Sequence, residues 1–216
     1  SLSMGEPLHG GRLAAQAIAA EGVDVLFTLS GGHVMPIYEG CRHEGVRVVD
    51  LRHEQSAAHA AEAWGRVRRT AGVALVTAGP GVTGTVTAIA NCHVAQTPLV
   101  VVGGARPLAQ AEQGALQEFD QLSLFKPITK WAAVCSSTAR IPEYVAIAFR
   151  QALSAPRGPV YLELPMDVLF EEAAADREPA PSRSSARAFG DPREVMKAAD
   201  LLNAAERPAV IAGTGI

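Results

Sequence analysis

Glu54 stands where a strand gives way to a helix, in the run Arg52-His53-Glu54-Gln55. An acid in a first helical turn complements the helix dipole, and position alone favours that role. The other chemistry open to it is sharing a proton with a ligand. A second feature is Thr77-Ala78-Gly79-Pro80-Gly81. Its glycines allow close backbone approach to a ligand, and the helix start beyond favours electron-rich groups. A tight strand-to-helix turn with no ligand is an equal alternative. No Gly-Lys-Ser/Thr follows, so this is not a Walker-type phosphate loop. Gly31-Gly32 marks a third turn, with His33 directly after it. Gly213-Thr214-Gly215 carries only two glycines of a dinucleotide fingerprint. The other histidines suggest no metal site. His53 and His59 are six apart and miss a common helix face, and His9, His43 and His93 are scattered. Cys41, Cys92 and Cys135 are odd in number and show no CxxC spacing, which argues against zinc and a disulfide framework. A reducing cytoplasm fits them.

Alternating patterns must position these residues. Helices are predicted over 9–21, from 34 to 41, and over 54–69, 83–94, 140–155 and 192–205. Short apolar runs predict strands over 23–29, 46–51, 73–76, 99–102 and 159–164. An edge strand is expected over 131–134 and a further strand over 209–212. The segment 105–126 reads as a loop with a short helix. Continuous β-branched strands between helices belong in sheets buried on both faces. The expected fold class is therefore α/β, an open doubly wound parallel sheet with helices on both faces. Ligands of such sheets bind beyond the carboxyl ends of the strands. The four turns there, near Gly31, Glu54, Gly79 and Gly103, hold the unusual residues.

The 216 residues are 48% hydrophobic and 19% charged, which is ordinary for a globular protein. A net charge of -3 offers no basic excess for nucleic acid. No run approaches the roughly 20 apolar residues of a membrane span, and no signal peptide is seen. Ser1-Leu2-Ser3 ahead of Met4 reads as an appended remnant. The stretch 173–190 is rich in Ala, Glu, Pro, Ser and Arg without apolar period, and reads as a linker. One helix and one strand beyond it cannot bury a core alone, which suggests the start of a second domain.

Together these motifs are far more specific than any one of them. RHEQ opening an Ala-rich helix, then TAGPG, then LVVVGG, resembles the thiamine-diphosphate enzymes of the acetolactate synthase, pyruvate oxidase and 2-hydroxyacyl-CoA lyase superfamily. Gly114-Ala115-Leu116-Gln117-Glu118, Arg157-Gly158-Pro159-Val160 and Leu164-Pro165-Met166-Asp167-Val168 continue the resemblance. It implies a pyrimidine-binding domain over 8–172, the linker over 173–190, and the start of a truncated central domain over 191–216.

The resemblance also implies roles. Glu54 would hydrogen-bond the cofactor's pyrimidine, favouring the imino form that takes the proton from thiazolium C2. Gly79, Pro80 and Gly81 would form the platform beside the pyrimidine, with Thr77 lining the same pocket. Gly31 and Gly32 match the family's Gly-Gly turn. Gly84 stands where the family often places Asn, which removes a polar anchor. His33 replaces a residue that is usually small. It would touch substrate, or else be a solvated loop histidine, the alternative the sequence favours. Gln117 matches a glutamine that reaches the reactive carbon from a neighbouring subunit, and otherwise reads as a surface helix residue. Leu116 stands where many acetolactate synthases have Phe, which changes the pocket's shape.

Thiamine diphosphate is thus the expected cofactor. Mg²⁺ and the diphosphate would bind a C-terminal domain outside this chain, through a Gly-Asp-Gly and Asn motif not found here. A central domain of this type can take FAD. The chain by itself is expected to be inactive. The implied activity is acetolactate synthase-like carboligation of 2-oxo acids, with a 2-hydroxyacyl-CoA lyase or another 2-oxo acid decarboxylase as the alternative. A homodimer or homotetramer is expected, with the small-residue helices over 54–69 and 83–94 as contact candidates or as internal core. A non-catalytic oligomerisation module is the reading from another class, and retention of Glu54, Gly79, Pro80 and Gly81 argues against it. A plain nucleotide-binding domain is disfavoured, because no complete Gly-x-Gly-x-x-Gly follows the first strand.

Overall fold

The computed structural model describes residues 7–174, 179, 181–182 and 189–213. Residues 1–3, most of the expected linker and Thr214-Gly215 lie outside the described residues. The strands are β1 (Pro7–His9), β2 (Val25–Thr28), β3 (Arg47–Asp50), β4 (Gly72–Val76), β5 (Leu99–Ala105), β6 (Trp131–Val134), β7 (Pro159–Pro165) and β8 (Glu172–Ala174). The helices are α1 (Gly10–Ala20), α2 (Met35–Glu44), α3 (Glu54–Arg68), α4 (Pro80–Thr83), α5 (Val86–Ala95), α6 (Gln121–Phe125), α7 (Ile141–Leu153), α8 (Met166–Phe170) and α9 (Pro192–Ala204). Among the described residues no helix is long and apolar enough to cross a membrane.

Six strands form one sheet in the order β3-β2-β4-β5-β7-β6, and every neighbouring pair is parallel. The expected α/β class and the edge position of β6 both hold. Side chains alternate across the sheet, yet both sets are apolar. Val73 and Leu75 of β4 face one core, while Ala74 and Val76 face the other. In β5, Val100 and Val102 oppose Leu99 and Val101 in the same way. Leu13 and Ile18 of α1, Ile37 of α2 and Phe149 of α7 cover the first face. Ala57, Ala58 and Ala61 of α3, Ile89 of α5 and Phe125 of α6 cover the second. Ala57, Ala58 and Ala61 of α3 therefore serve this chain's own core.

Several boundaries differ from the sequence reading. β5 runs on through Gly103-Gly104 rather than ending there. A Cβ on Gly103 would sit 2.6 Å from the Tyr161 hydroxyl, and one on Gly104 the same distance from the His33 Cβ. These glycines make room for neighbours inside the strand. The single helix expected over 83–94 is two helices, broken at Gly84-Thr85, where the buried Thr85 hydroxyl donates to the Val82 carbonyl at 2.7 Å. β1 and β8 form an antiparallel pair that local pattern did not suggest, so Ala173 and Ala174 are strand rather than linker. The strand expected over 209–212 is not formed. Val210 and Ile211 are 77% and 99% exposed, and no described strand pairs with them to satisfy their backbone.

The tightest helix-on-sheet contact is α3 on β4. A Cβ on Gly72 would fall 1.8 Å from the Ala61 carbonyl oxygen. Gly72→Ala should therefore push α3 off the sheet and lower stability by about 1–3 kcal/mol, the usual cost of overpacking. Denaturant unfolding measures this, and an unchanged midpoint would mean that α3 yields without cost.

Candidate functional site

Strand order reverses between β2 and β4. The chain leaves β2 toward β3 on one side and leaves β4 toward β5 on the other. A crevice must open beyond the carboxyl ends of such a pair. The Gly31-Gly32 turn follows β2, and Thr77 to Gly79 follows β4. A Cβ on Gly31 would lie 2.3 Å from the Thr77 Cβ, so only glycine permits this approach. At Gly32 added atoms would meet nothing within 4 Å.

The crevice has a volume of about 540 Å³. Gly31, Gly32, His33, Thr77, Leu116 and Gln117 line it, all singled out from sequence. Pro107, Gln110 and Met166 also line it and were given no site role from sequence. His33 is not a solvated loop residue. It is 4% exposed, and its Nδ1 lies 2.9 Å from the Thr77 hydroxyl. Burial lowers its pKa below 6.5, against the opposing pull of the Leu116 carbonyl. A neutral imidazole therefore forms part of the crevice wall. Leu116 is 76% exposed on the rim.

Gln117 is not on a helix. It sits in a turn with φ 59°, a left-handed conformation that costs a side-chain-bearing residue strain. Its Cβ and carbonyl lie over Gly79, where an added Cβ would be 2.9 Å from both. Gly79 has φ 61° and ψ -113°, a backbone open in practice to glycine alone. The turn carrying Gln117 is tied down by Glu118. That carboxylate accepts from the N–H groups of Glu112, Gly114 and Ala115 and from the Arg106 guanidinium. The Glu112 N–H is the largest influence holding its pKa below the usual carboxylate range.

Glu54 opens α3, behind the N-cap His53, whose Nδ1 accepts from the Gln55 N–H. The Glu54 side chain is half-buried and has no side-chain partner among the described residues. It lies in a gap that two glycines leave open. A Cβ on Gly81 would be 3.4 Å from Oε1, and one on Gly84 would be 3.2 Å from both Oε2 and the Glu54 Cβ. Gly84 thus leaves space for the carboxylate, and a side chain there would make Glu54 give way. Thr77 connects the two parts of the site, since its methyl also lies 2.8 Å from where a Gly81 Cβ would be. Pro80 is exposed beside them.

Gln121 is given no role by the sequence. At the start of a short helix it resembles any solvated polar residue, yet it is 2% exposed. Its Oε1 accepts the Gly79 N–H at 2.6 Å. Its Nε2 donates to the Gly104 carbonyl at 3.0 Å and to Glu163 Oε2 at 2.9 Å. Tyr161, at 3.1 Å from the same nitrogen, also donates to Glu163. Burial pushes the Glu163 pKa up.

The geometry suits the ring end of a cofactor. A half-buried carboxylate without a side-chain partner among the described residues, in a cradle that a Cβ would fill, matches a flat, nitrogen-bearing ring. The residues that line the crevice include no Lys or Arg to hold a diphosphate. Among the described residues no three His, Cys, Asp or Glu are grouped to hold a metal ion.

Comparison with known proteins bears on the same region. Residues 8–124 match the family "Thiamine pyrophosphate enzyme, N-terminal TPP binding domain". The acetolactate synthase large subunit of Mycobacterium tuberculosis is 41% identical over 214 residues, 98% of this chain and 39% of that protein. The 2-hydroxyacyl-CoA lyase 2 of Danio rerio is 44% identical over 178 residues, covering 82% of this chain and 29% of its own length. The human 2-hydroxyacyl-CoA lyase 2 is 45% identical over 178 residues, 81% of this chain and 28% of that protein. The chain thus spans well under half the length of these relatives. With 8–124 matching the family, and with a parallel sheet whose switch point carries the glycine turns, Glu54 lying beside Gly81 and Gly84, the chain belongs to the thiamine pyrophosphate enzymes, through their N-terminal TPP binding domain.

Proposed function

We propose that this chain holds the aminopyrimidine of thiamine diphosphate and that Glu54 is its proton-sharing partner. The observation that carries this is the Glu54 carboxylate, without a side-chain partner among the described residues, in the gap left by Gly81 and Gly84. Bound thiamine diphosphate supplies a thiazolium carbon that loses its proton and adds to a carbonyl group. The protein's part is to orient and to manage one proton. A half-buried carboxyl can give a proton to a weakly basic ring nitrogen and take it back. Aspartate at this position would be too short, and glutamine cannot exchange the proton. Gly79, Pro80 and Gly81 set the platform, and Thr77 links it to the crevice. His33, Leu116 and Gln117 face the substrate, with Gly31 letting its loop meet Thr77 and Gly32 keeping the crevice open.

The unit doing this is 8–172, with Mg²⁺ and the diphosphate held by a region outside this chain and a homodimer completing the site. Acetolactate synthase-like carboligation of 2-oxo acids is the favoured reaction, supported by the Mycobacterium tuberculosis relative, which matches 98% of this chain. Cleavage of a 2-hydroxyacyl-CoA is the second reading, supported by the higher identity of the lyase relatives, 44% and 45%.

Glu54→Gln in the full-length enzyme should slow C2 proton exchange of bound cofactor by about a hundredfold or more, as loss of an acid–base group does. Cofactor should stay bound, and exchange at the parent rate would remove Glu54 from the chemistry. The full-length enzyme with thiamine diphosphate and Mg²⁺ should release CO2 from pyruvate and form acetolactate. No product from pyruvate, with cleavage of a 2-hydroxyacyl-CoA, would select the lyase. His33→Ala should change substrate preference, and an unchanged profile would take His33 out of the substrate wall. The folded state prefers neutral His33, so stability from this source is full above about pH 6.5 and falls as pH drops through the lowered pKa. His33→Ala should flatten that acid limb in unfolding titrations, while an unchanged limb would assign it to other groups.

A further inference from the structure

We infer that Gln121 is a positioning residue for the cofactor site, acting through Gly79 on the turn that faces Glu54. The inference rests on the proposed role of Glu54. Gln121 touches neither Glu54 nor the crevice lining. What it holds is the Gly79 N–H, a buried donor in a backbone conformation that only glycine adopts. Two residues on, Gly81 forms one wall of the Glu54 gap.

The chemistry of the side chain matters here. Gln121 presents one acceptor to the turn and two donors to the sheet, and all are used. The acceptor meets the Gly79 N–H, while the donors meet the Gly104 carbonyl on β5 and the Glu163 carboxylate on β7. An amide alone offers an acceptor and two donors on one planar unit. A carboxylate in its place would still accept from Gly79 but would face a carbonyl and a second carboxylate. A methionine would fill the space and leave Gly79 unsatisfied. The amide thereby ties the turn to two central strands, in register with the carboxyl ends where the site lies.

The first test needs no cofactor. Amide hydrogen exchange over 77–84 should become at least about tenfold faster in Gln121→Met, while the central strands keep their protection. Unchanged protection over 77–84 would overturn the inference. The second test uses the full-length protein saturated with thiamine diphosphate. C2 proton exchange should slow by at least about tenfold in Gln121→Met, since small misplacements at a reacting centre cost up to about a hundredfold. Gln121→Glu should show a smaller deficit that shrinks as pH falls, because a protonated carboxyl regains a donor. A purely structural role would lower the unfolding midpoint and leave C2 exchange at saturation unchanged, which overturns the inference. Should Gln121→Met fail to fold, Gln121→Glu decides alone. Parallel measurement of Glu54→Gln separates the two claims. Normal exchange in Glu54→Gln sinks the reading of Glu54, whereas slow exchange there with normal exchange in both Gln121 variants sinks only the role of Gln121.

Discussion

The approach of the Gly31 backbone to the Thr77 side chain is the constraint on which the site depends. β2 and β4 are neighbours, but their onward connections run to opposite sides of the sheet. The two loops separate a crevice and must still meet at its floor. They meet because Gly31 has no side chain where the Thr77 Cβ would be only 2.3 Å away. That contact fixes Thr77, and Thr77 then serves two neighbours. Its hydroxyl holds the His33 ring in the crevice, and its methyl packs at Gly81 beside Glu54. A bulkier residue at position 31 would separate these parts before any chemistry is considered.

The second requirement is a lid for the turn after β4. The segment from Arg106 to Asp120 has no strand and little helix, and long irregular segments need polar anchors to keep a single shape. Glu118 supplies one by collecting three backbone N–H groups and Arg106. Gln121 supplies the next at its base, through Gly79, Gly104 and Glu163. Two left-handed residues, Gly79 and Gln117, face each other between these anchors. Such backbone persists only where its surroundings over-determine it, and here the surroundings are the buried hydrogen bonds of Gln121 and the more exposed ones of Glu118.

Much of the sheet was legible because both of its faces are buried. A strand apolar at every position is conspicuous, and β4, β5 and β7 each carry such a run. Strand ends were less legible. Gly103-Gly104 resembled a terminus because glycine weakens isolated strands, yet Tyr161 and His33 occupy the space the missing side chains leave. The three-residue β1 and β8 were invisible, since Pro-Leu-His and Glu-Ala-Ala carry no pattern and pair across most of the domain. The stretch over 209–212 misled in the opposite direction. Apolar residues favour a strand, but a strand without a neighbour leaves its backbone unpaired.

What the sequence by itself determined was the layer architecture, the order of its elements, and the places where Glu54 and the glycine turns interrupt them. Those follow from periodicity and from backbone freedom, which are local properties. The tertiary structure alone decided that His33 is buried and neutral, that Gly84 leaves room for Glu54, and that Gln121 holds Gly79. In each case the deciding partner is 30 to 44 positions away in the chain: Thr77 for His33, Gly84 for Glu54, and Gly79 for Gln121. A polar residue's environment is set by what folding brings against it, and residue type cannot encode that locally.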